Sequence, residues 1–344
     1  MKNINVGILG GTGYVGGELY RILRNHPNFD IKFVSSESKQ GYPVESLNKS
    51  LITSKQKSNL KYSSIKDLPD NLDCLFSALP TGVLPNYIKD ILKKVRVVFN
   101  ISGDFRFHDK DILKKYYPQT YKLNCTDIIS EYCIPDIDEY SHISRDTNLI
   151  NLPGCMALAC IYAFYPLVKH KLIKNNVFVD VKTGSSGAGK STKETAADRF
   201  GNFRLYRAFD HRHLPEVINV LSPQVTNIGF AAYSLDISRG IYASAYSLLK
   251  DNITSIDVKK SFYKEYKYKK FIVNLSNNTI PLLKSVNGTN SAEIKVIVSG
   301  KMCISMVALD NLIKGAAGQA IQAANKYYLL DEELGLNNLC GMWP

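Results

Sequence analysis

The sequence predicts an α/β protein of two domains: a doubly wound, Rossmann-like parallel sheet, then an α+β unit whose sheet is mostly antiparallel. The chain has 344 residues, which is roughly two domains at about 150 residues each. Short apolar runs alternate with helical patterns through the first 150 residues, the mark of a parallel sheet. Longer strands follow one another in the second half, two of them meeting at Ser299-Gly300 as a hairpin. A composition of 45% hydrophobic and 22% charged residues excludes a disordered chain.

The first strand is expected over residues 3–9 (NINVGIL). A Gly-rich turn follows, then a helix through Glu18–Leu23 that Asn25-His26-Pro27 stops. Further strands are expected at 31–35, 73–78 and 96–101, with a helix from about Gly82 to Lys93. In the second half strands are expected at 177–183, 225–237, 241–250, 293–299 and 302–309. A helix is expected near Thr192–Phe200, and an Ala/Gly-rich helix over 311–330 closes the pattern. The expected domains are 1–150, completed by 311–344, and 151–310.

Gly10-x-x-Gly13-x-x-Gly16 lies between strand and helix. Glycines there let the backbone turn sharply and approach a pyrophosphate seated on the helix N-terminus. Gly10, Thr12, Gly13, Tyr14 and Val15 are therefore candidate cofactor contacts. After the second strand, Ser36, Ser38 and Lys39 suit a 2′-phosphate, while Glu37 suits a free ribose hydroxyl. That loop leaves NAD and NADP both open.

Asn151-Leu152-Pro153-Gly154-Cys155 leads into an apolar run, so Cys155 falls at a helix N-terminus, where the macrodipole favours a thiolate. His211-Arg212-His213 concentrates two of the six histidines; a thiolate nucleophile needs such a proton acceptor. Ser102-Gly103-Asp104-Phe105-Arg106 ends a strand on the edge that lines the crevice, so Arg106 is a candidate clamp for carboxylate or phosphate. Gly184–Ser191 satisfies the P-loop pattern G-x-x-x-x-G-K-[ST]. A P-loop normally opens its domain, and this one sits deep in the chain. The modest alternative is a loop of backbone donors for some anion.

Seven cysteines without a C-x-x-C pair match no zinc site, and no metal is expected. The most apolar run, Cys155–Val168, is too short to span a bilayer. The N-terminus lacks the shape of a secretory signal, so a cytoplasmic protein without membrane attachment is expected. The net charge of +12 is uneven. Residues 1–150 hold 20 Lys+Arg against 17 Asp+Glu, and residues 151–344 hold 23 against 14. Lys259–Lys270 mixes lysines with aromatics but no RNA-binding motif accompanies it, so no nucleic acid is expected.

GGTGYVGGEL (10–19), SGDFR (102–106), PGC (153–155), SSGAGK (185–190), HRHLPE (211–216) and DNLIKGAAGQA (310–320), in this order, resemble the N-acetyl-gamma-glutamyl-phosphate reductase family, part of the wider aspartate-semialdehyde dehydrogenase group. The likeness runs through nearly the whole chain. It implies a Rossmann-like NADP-binding domain and a catalytic and dimerisation domain. It also implies Cys155 as nucleophile, His213 as general acid/base, and NADP contacts from Thr12–Val15, Ser36–Ser38 and Asn311. Arg106, Ser185, Gly187, Lys190 and His211 become substrate-binding candidates. Because the family carries a basic residue at the position of Lys190, the P-loop NTPase reading becomes a remote alternative.

One branch of that family acts on substrates tethered to a small acidic amino-group carrier protein of LysW type, in lysine and arginine synthesis. Cys155-Met-Ala-Leu-Ala159, the stretch Gly201–Tyr206 and the basic second half resemble that branch. The expected reaction is therefore NADPH-dependent reduction of carrier-linked 2-aminoadipyl 6-phosphate or glutamyl 5-phosphate to the semialdehyde. The alternative is the reductase of free N-acetyl-glutamyl phosphate. A homo-oligomer is expected in either case.

Overall fold

In the computed structural model the described residues are 3–47, 59–70, 72–123, 128–190, 196–276 and 278–339. Cys125, Cys340, Ser191 and Thr192 lie outside them. The described residues divide into two units, 3–152 with 316–338, and 153–315 with 339.

The first unit runs β1 (Ile4–Leu9), α1 (Tyr14–Leu23), β2 (Phe29–Val34), β3 (Cys74–Ser77), α2 (Ile88–Lys94), β4 (Val98–Asn100), α3 (Lys110–Tyr116), α4 (Pro118–Lys122), β5 (Glu131–Tyr132), α5 (Asp138–Ser141) and β6 (Leu149–Asn151). Its sheet has the order β2-β1-β3-β4-β6-β5, with every neighbouring pair parallel. Every residue of β3, β4 and β6 is buried, as a sheet covered on both faces requires. The order reverses between β1 and β3, which puts the turn after β1 at the switch point where such sheets bind ligands.

The helix expected from Gly82 is broken into a 3-10 turn over Leu84–Asn86 and then α2. Gly82 sits at φ +90°, outside helical space, and its N–H is held at 2.9 Å by Asp104. Pro85 inside the short turn has no N–H to extend it.

The second unit runs α6 (Cys155–Lys169), β7 (Ile173–Thr183), α7 (Ala196–Arg199), β8 (Arg204–Ala208), α8 (Leu214–Leu221), β9 (Asn227–Ser234), β10 (Ile241–Leu249), α9 (Ser255–Tyr266), β11 (Ile272–Asn274), α10 (Leu283–Val286), β12 (Ala292–Ser299) and β13 (Met302–Leu309). Its sheet has the order β11-β12-β13-β10-β7-β9-β8 and is mixed. Parallel pairing is confined to β11–β12 and β7–β9. Ser299 pairs with Met302, so the hairpin loop is Gly300-Lys301 rather than Ser299-Gly300, with Gly300 at φ +56°. The described part of the helix expected near 192–200 is α7.

Helix α6 is buried from Met156 to Val168. Apolar all round, it is a core helix. Pro166 lies inside its last turns and cannot donate to the carbonyl of Tyr162. That oxygen instead accepts the Tyr266 hydroxyl from α9 at 2.9 Å. Tyr266→Phe is therefore expected to remove this buried hydrogen bond and destabilise the fold by about 1 kcal/mol. The measurement is a lower urea midpoint at unchanged m-value; an unmoved midpoint would count against the bond.

The closing helix is not continuous. A π-turn over Ile313–Ala317 precedes α11 (Gly318–Tyr327). Asp310 causes the break. Its carboxylate takes the N–H groups of Leu312 and Ile313, while its carbonyl accepts from Gly315, five residues on, at 2.8 Å. The units divide at Gly315/Ala316, so residues 311–315, expected with the first domain, pack with the second. Among the described residues no helix is long and apolar enough to cross a membrane.

Candidate active site

In the first unit, β1 ends in Gly10, at φ +77°, where a side chain would meet the carbonyl of Ala78 at 2.8 Å. A Cβ on Gly16 would stand 2.2 Å from the Gly10 carbonyl, so the first turn of α1 folds directly against the loop. Gly13 is the N-cap and offers no side chain to the first-turn N–H groups, and no acidic residue stands in that turn. A close-approach backbone ending in an uncapped helix N-terminus fits a pyrophosphate.

The loop after β2 is tied to this turn. Ser35 Oγ accepts the Gly10 N–H at 3.1 Å, and Ser36 Oγ lies 3.3 Å from Thr12 Oγ1 and 3.5 Å from Ser38 Oγ. Glu37 departs from its expected role. Its carboxylate accepts the Ile65 N–H at 2.8 Å and the Ser64 hydroxyl, so it caps a short turn rather than presenting an acceptor held ready for a ribose. Arg106 is buried and donates from Nη2 to the Ile101 carbonyl at 2.7 Å. The loop before it is over-determined. Asp104 accepts from Gly82, Ser102 and Thr120, and Asn151 donates to Phe105, which sits at φ +66°. Strain held this firmly is typical of functional loops.

In the second unit Cys155 is the first residue of α6. The N-cap Gly154 donates its N–H to Oε2 of Glu216 at 3.0 Å, and Glu216 is buried. His213, the residue before α8, lays its ring on Gly154: a Cβ there would come within 2.3 Å of Nε2. From the other side, a Cβ on Gly315 would be 2.6 Å from Cys155 Cβ. Two glycines thus bring an imidazole and a backbone turn against the helix end that carries the thiol.

Among the described cysteines Cys155 alone is not buried. Burial pushes the Cys303 thiol up to about 11 and the Cys133 thiol up to about 12, and drives Cys74 and Cys160 up as well. Those four are inert thiols at neutral pH.

His211 is held as a neutral base. Burial first, then Arg212 and Arg207, lower it to about 4. Its Nδ1 accepts the His213 N–H at 3.2 Å, which leaves the ring proton on Nε2, 3.4 Å from the Tyr206 hydroxyl. Desolvation, then the nearby Cys155, raise Tyr206 to about 12, so it stays a proton donor. Burial also lowers His26 to about 4. The unfolded chain protonates these histidines near pH 6.5, the folded one only near pH 4. Stability is therefore lost as pH falls through that window, by about 3 kcal/mol per histidine. The melting temperature is expected to fall between pH 6.5 and 4, and less steeply in His26→Gln.

The loop expected to cradle an anion does not do so with its backbone. The N–H groups of Gly184, Ser185, Ser186, Gly187 and Gly189 are all bonded to carbonyls within the unit. A phosphate cradle needs such donors, so the engagement of these five counts against both the P-loop and the backbone-donor readings. The Ser185 hydroxyl and the exposed Lys190 are what this loop presents. Asn311 anchors it, accepting the Gly240 N–H at 2.8 Å and donating to Ser186 Oγ at 2.9 Å. Gly187 packs on Thr183.

The structure therefore gathers Cys155, His213 and His211, and it adds Glu216, Tyr206 and Gly315, to which sequence reasoning gave no role. Glu216 had a signal: it follows His213 by three residues, on the same helical face. Tyr206 and Gly315 had none, because both meet the site through tertiary contacts. Among the described residues no cluster of three His, Cys, Asp or Glu could hold a metal ion.

A glycine turn at the switch point of a parallel sheet, fitted to a pyrophosphate, defines a dinucleotide-binding domain of the kind oxidoreductases use. Residues 5–144 match the family model described as "Semialdehyde dehydrogenase, NAD binding domain", and residues 155–311 match "Semialdehyde dehydrogenase, dimerisation domain". The chain belongs to the semialdehyde dehydrogenase family, and its cofactor is NAD(P).

It is 60% identical to the N-acetyl-gamma-glutamyl-phosphate reductase 1 of Lactiplantibacillus plantarum, over 99% of this chain and 100% of that one. It is 33% identical to a putative [LysW]-L-2-aminoadipate/[LysW]-L-glutamate phosphate reductase of Picrophilus torridus, over 97% and 98%. In fold it is similar to the aspartate semialdehyde dehydrogenase II of Vibrio cholerae complexed with ASA, with TM-score 0.73 at 14% identity over 96% of this chain and 99% of that one. The Candida albicans aspartate semialdehyde dehydrogenase with NADP gives TM-score 0.69 at 17% identity over 98% and 100%.

Proposed function

We propose that this protein reduces the side-chain acyl phosphate of an amino-blocked glutamate to the semialdehyde, with release of phosphate, in amino-acid biosynthesis. The observation that carries the reading is Cys155: a partly exposed thiol at the start of a 15-residue helix, with the ring of His213 seated on the preceding glycine.

The N-terminus of α6 favours the thiolate, and His213 is placed to take the proton. The thiolate attacks the acyl carbonyl, the C–O bond to phosphate breaks, and phosphate leaves as a stable anion. Cys155 then holds the acyl group as a thioester, a far better electrophile than a carboxylate. When bound by the Gly10–Val15 turn and the Ser36–Ser38 hydroxyls, NADPH supplies the hydride. His213 gives a proton to the developing oxyanion and recovers it as the thiohemiacetal collapses to aldehyde and thiolate. Arg106, Ser185, Lys190 and His211 are the proposed contacts to phosphate and to the substrate carboxylate.

The 60%-identical relative supports an acetyl group as the block on the amino nitrogen. A second reading keeps the carrier protein. It is favoured by β8 and its flanks, which expose Phe203, Leu205 and Phe209 beside Arg207 and Arg212, a basic and apolar edge suited to an acidic protein. Turnover of N-acetyl-glutamyl phosphate at a kcat/KM above that of a carrier-linked substrate supports the first reading; the reverse order supports the second.

We also propose a homodimer through the second sheet. Phe178, Tyr246, Ile304 and Ile297 face one another in register across β7, β10, β13 and β12, with Phe178 and Ile297 exposed. Such an apolar row marks an interaction face. Phe178→Asp with Ile297→Asp is expected to yield monomers in sedimentation.

A further inference from the structure

We propose that Lys314 is a positioning residue for the nucleophile, its buried ammonium holding the π-turn that presses Gly315 against Cys155. Lys314 is 0% exposed, among the largest fully buried side chains of the described residues. Lysine is almost never fully buried without groups that hold its charge. Here Nζ lies 5.1 Å from the Phe271 ring and 5.9 Å from the Tyr162 ring, within reach of both π faces.

The placement ties this cation to the site. Tyr162 follows Cys155 by seven residues in α6, so the two share a helix face about 10 Å apart along the axis. Lys314 engages that face at Tyr162, and the next residue, Gly315, engages it at Cys155, where a Cβ would come within 2.6 Å. Two consecutive residues thus grip the nucleophile's helix two turns apart. They do so from a π-turn whose Gly315 N–H reaches back to the Asp310 carbonyl. A π-turn is rarer and weaker than an α-turn and needs outside contacts to persist. Loss of the ammonium removes such a contact. The turn then relaxes, Gly315 moves off Cys155, and the thiol is no longer confined to one rotamer.

The inference rests on Cys155 being the nucleophile, so the experiment separates the two. Lys314→Met keeps the length of the side chain and removes its charge. The expected result is a fall of roughly tenfold to a hundredfold in kcat for phosphate-dependent oxidation of N-acetyl-glutamate semialdehyde, with KM for phosphate within about twofold. The rate of Cys155 alkylation by iodoacetamide, followed by peptide mass spectrometry in the folded protein, is expected to change severalfold; a purely structural lysine would leave it alone. If Lys314→Met does not fold, Tyr162→Leu takes its place, with a smaller loss in the same direction. Unchanged kcat and alkylation in the variant that folds would overturn the proposal, as would a kcat loss explained by melting alone. Full turnover in Cys155→Ser would overturn instead the reading on which it rests.

Discussion

Cys155→Ser is expected to lose phosphate-dependent semialdehyde oxidation by roughly a thousandfold or more, while melting temperature and nucleotide binding stay near those of the parent. A hydroxyl at this place is almost wholly protonated at neutral pH and is a poor leaving group from the tetrahedral adduct. The helix end that favours a thiolate does too little for an alcohol, whose pKa lies far higher. The substitution is nearly isosteric at a partly exposed position, so it isolates chemistry from packing. Mass spectrometry offers an independent reading: the parent, given acyl phosphate without reductant, should gain the acyl mass on the peptide holding Cys155, and the variant should not. An acyl mass on another cysteine would displace the assignment.

Gly154→Ala is expected to follow, with a loss of roughly a hundredfold in kcat. The backbone does not require glycine here, since φ −69° and ψ 149° are open to any residue. The steric demand comes from one ring. A methyl group would stand 2.3 Å from Nε2, 2.6 Å from Cδ2 and 2.7 Å from Cε1 of His213. No real contact is that short, so the imidazole must move off the helix start that carries Cys155. Overpacking should also cost about 1–3 kcal/mol of stability. The diagnostic is the pattern: kcat falls, KM for the nucleotide holds, and the dependence of rate on pH changes if His213 is the acid/base proposed above. A Gly154→Ala enzyme with parental kcat would mean that the imidazole does not act from this position.

Much of the site was legible because it rests on local chemistry. Pro-Gly before an apolar run announces a helix start, which is why Cys155 stood out from six other cysteines. Gly10 and Gly16 could be read because a tight turn between strand and helix has few other solutions. The Gly184–Ser191 loop misled for the same reason. Its letters match a phosphate cradle, but whether backbone N–H groups are open depends on what faces them, and Ile237, Ser238 and Gly240 supply carbonyls to three of them. Glu37 is a parallel case, its carboxylate claimed by a short turn 28 residues away.

The π-turn at 313–317 has a local cause in Asp310, whereas strand order within each sheet and the break at Gly82 were decided by contacts between distant residues. So were the burial of Lys314 and the approach of His213 to Gly154, which join positions up to 152 apart in the chain. The amino-acid order alone was enough for the two-domain α/β plan, the nucleotide turn and the place of Cys155 at a helix start, because periodicity, turn chemistry and helix polarity act over a few residues. Which imidazole, carboxylate and backbone turn meet that thiol depends on packing across the second sheet and its helices. Such neighbours leave no spacing in the chain by which they could be read beforehand.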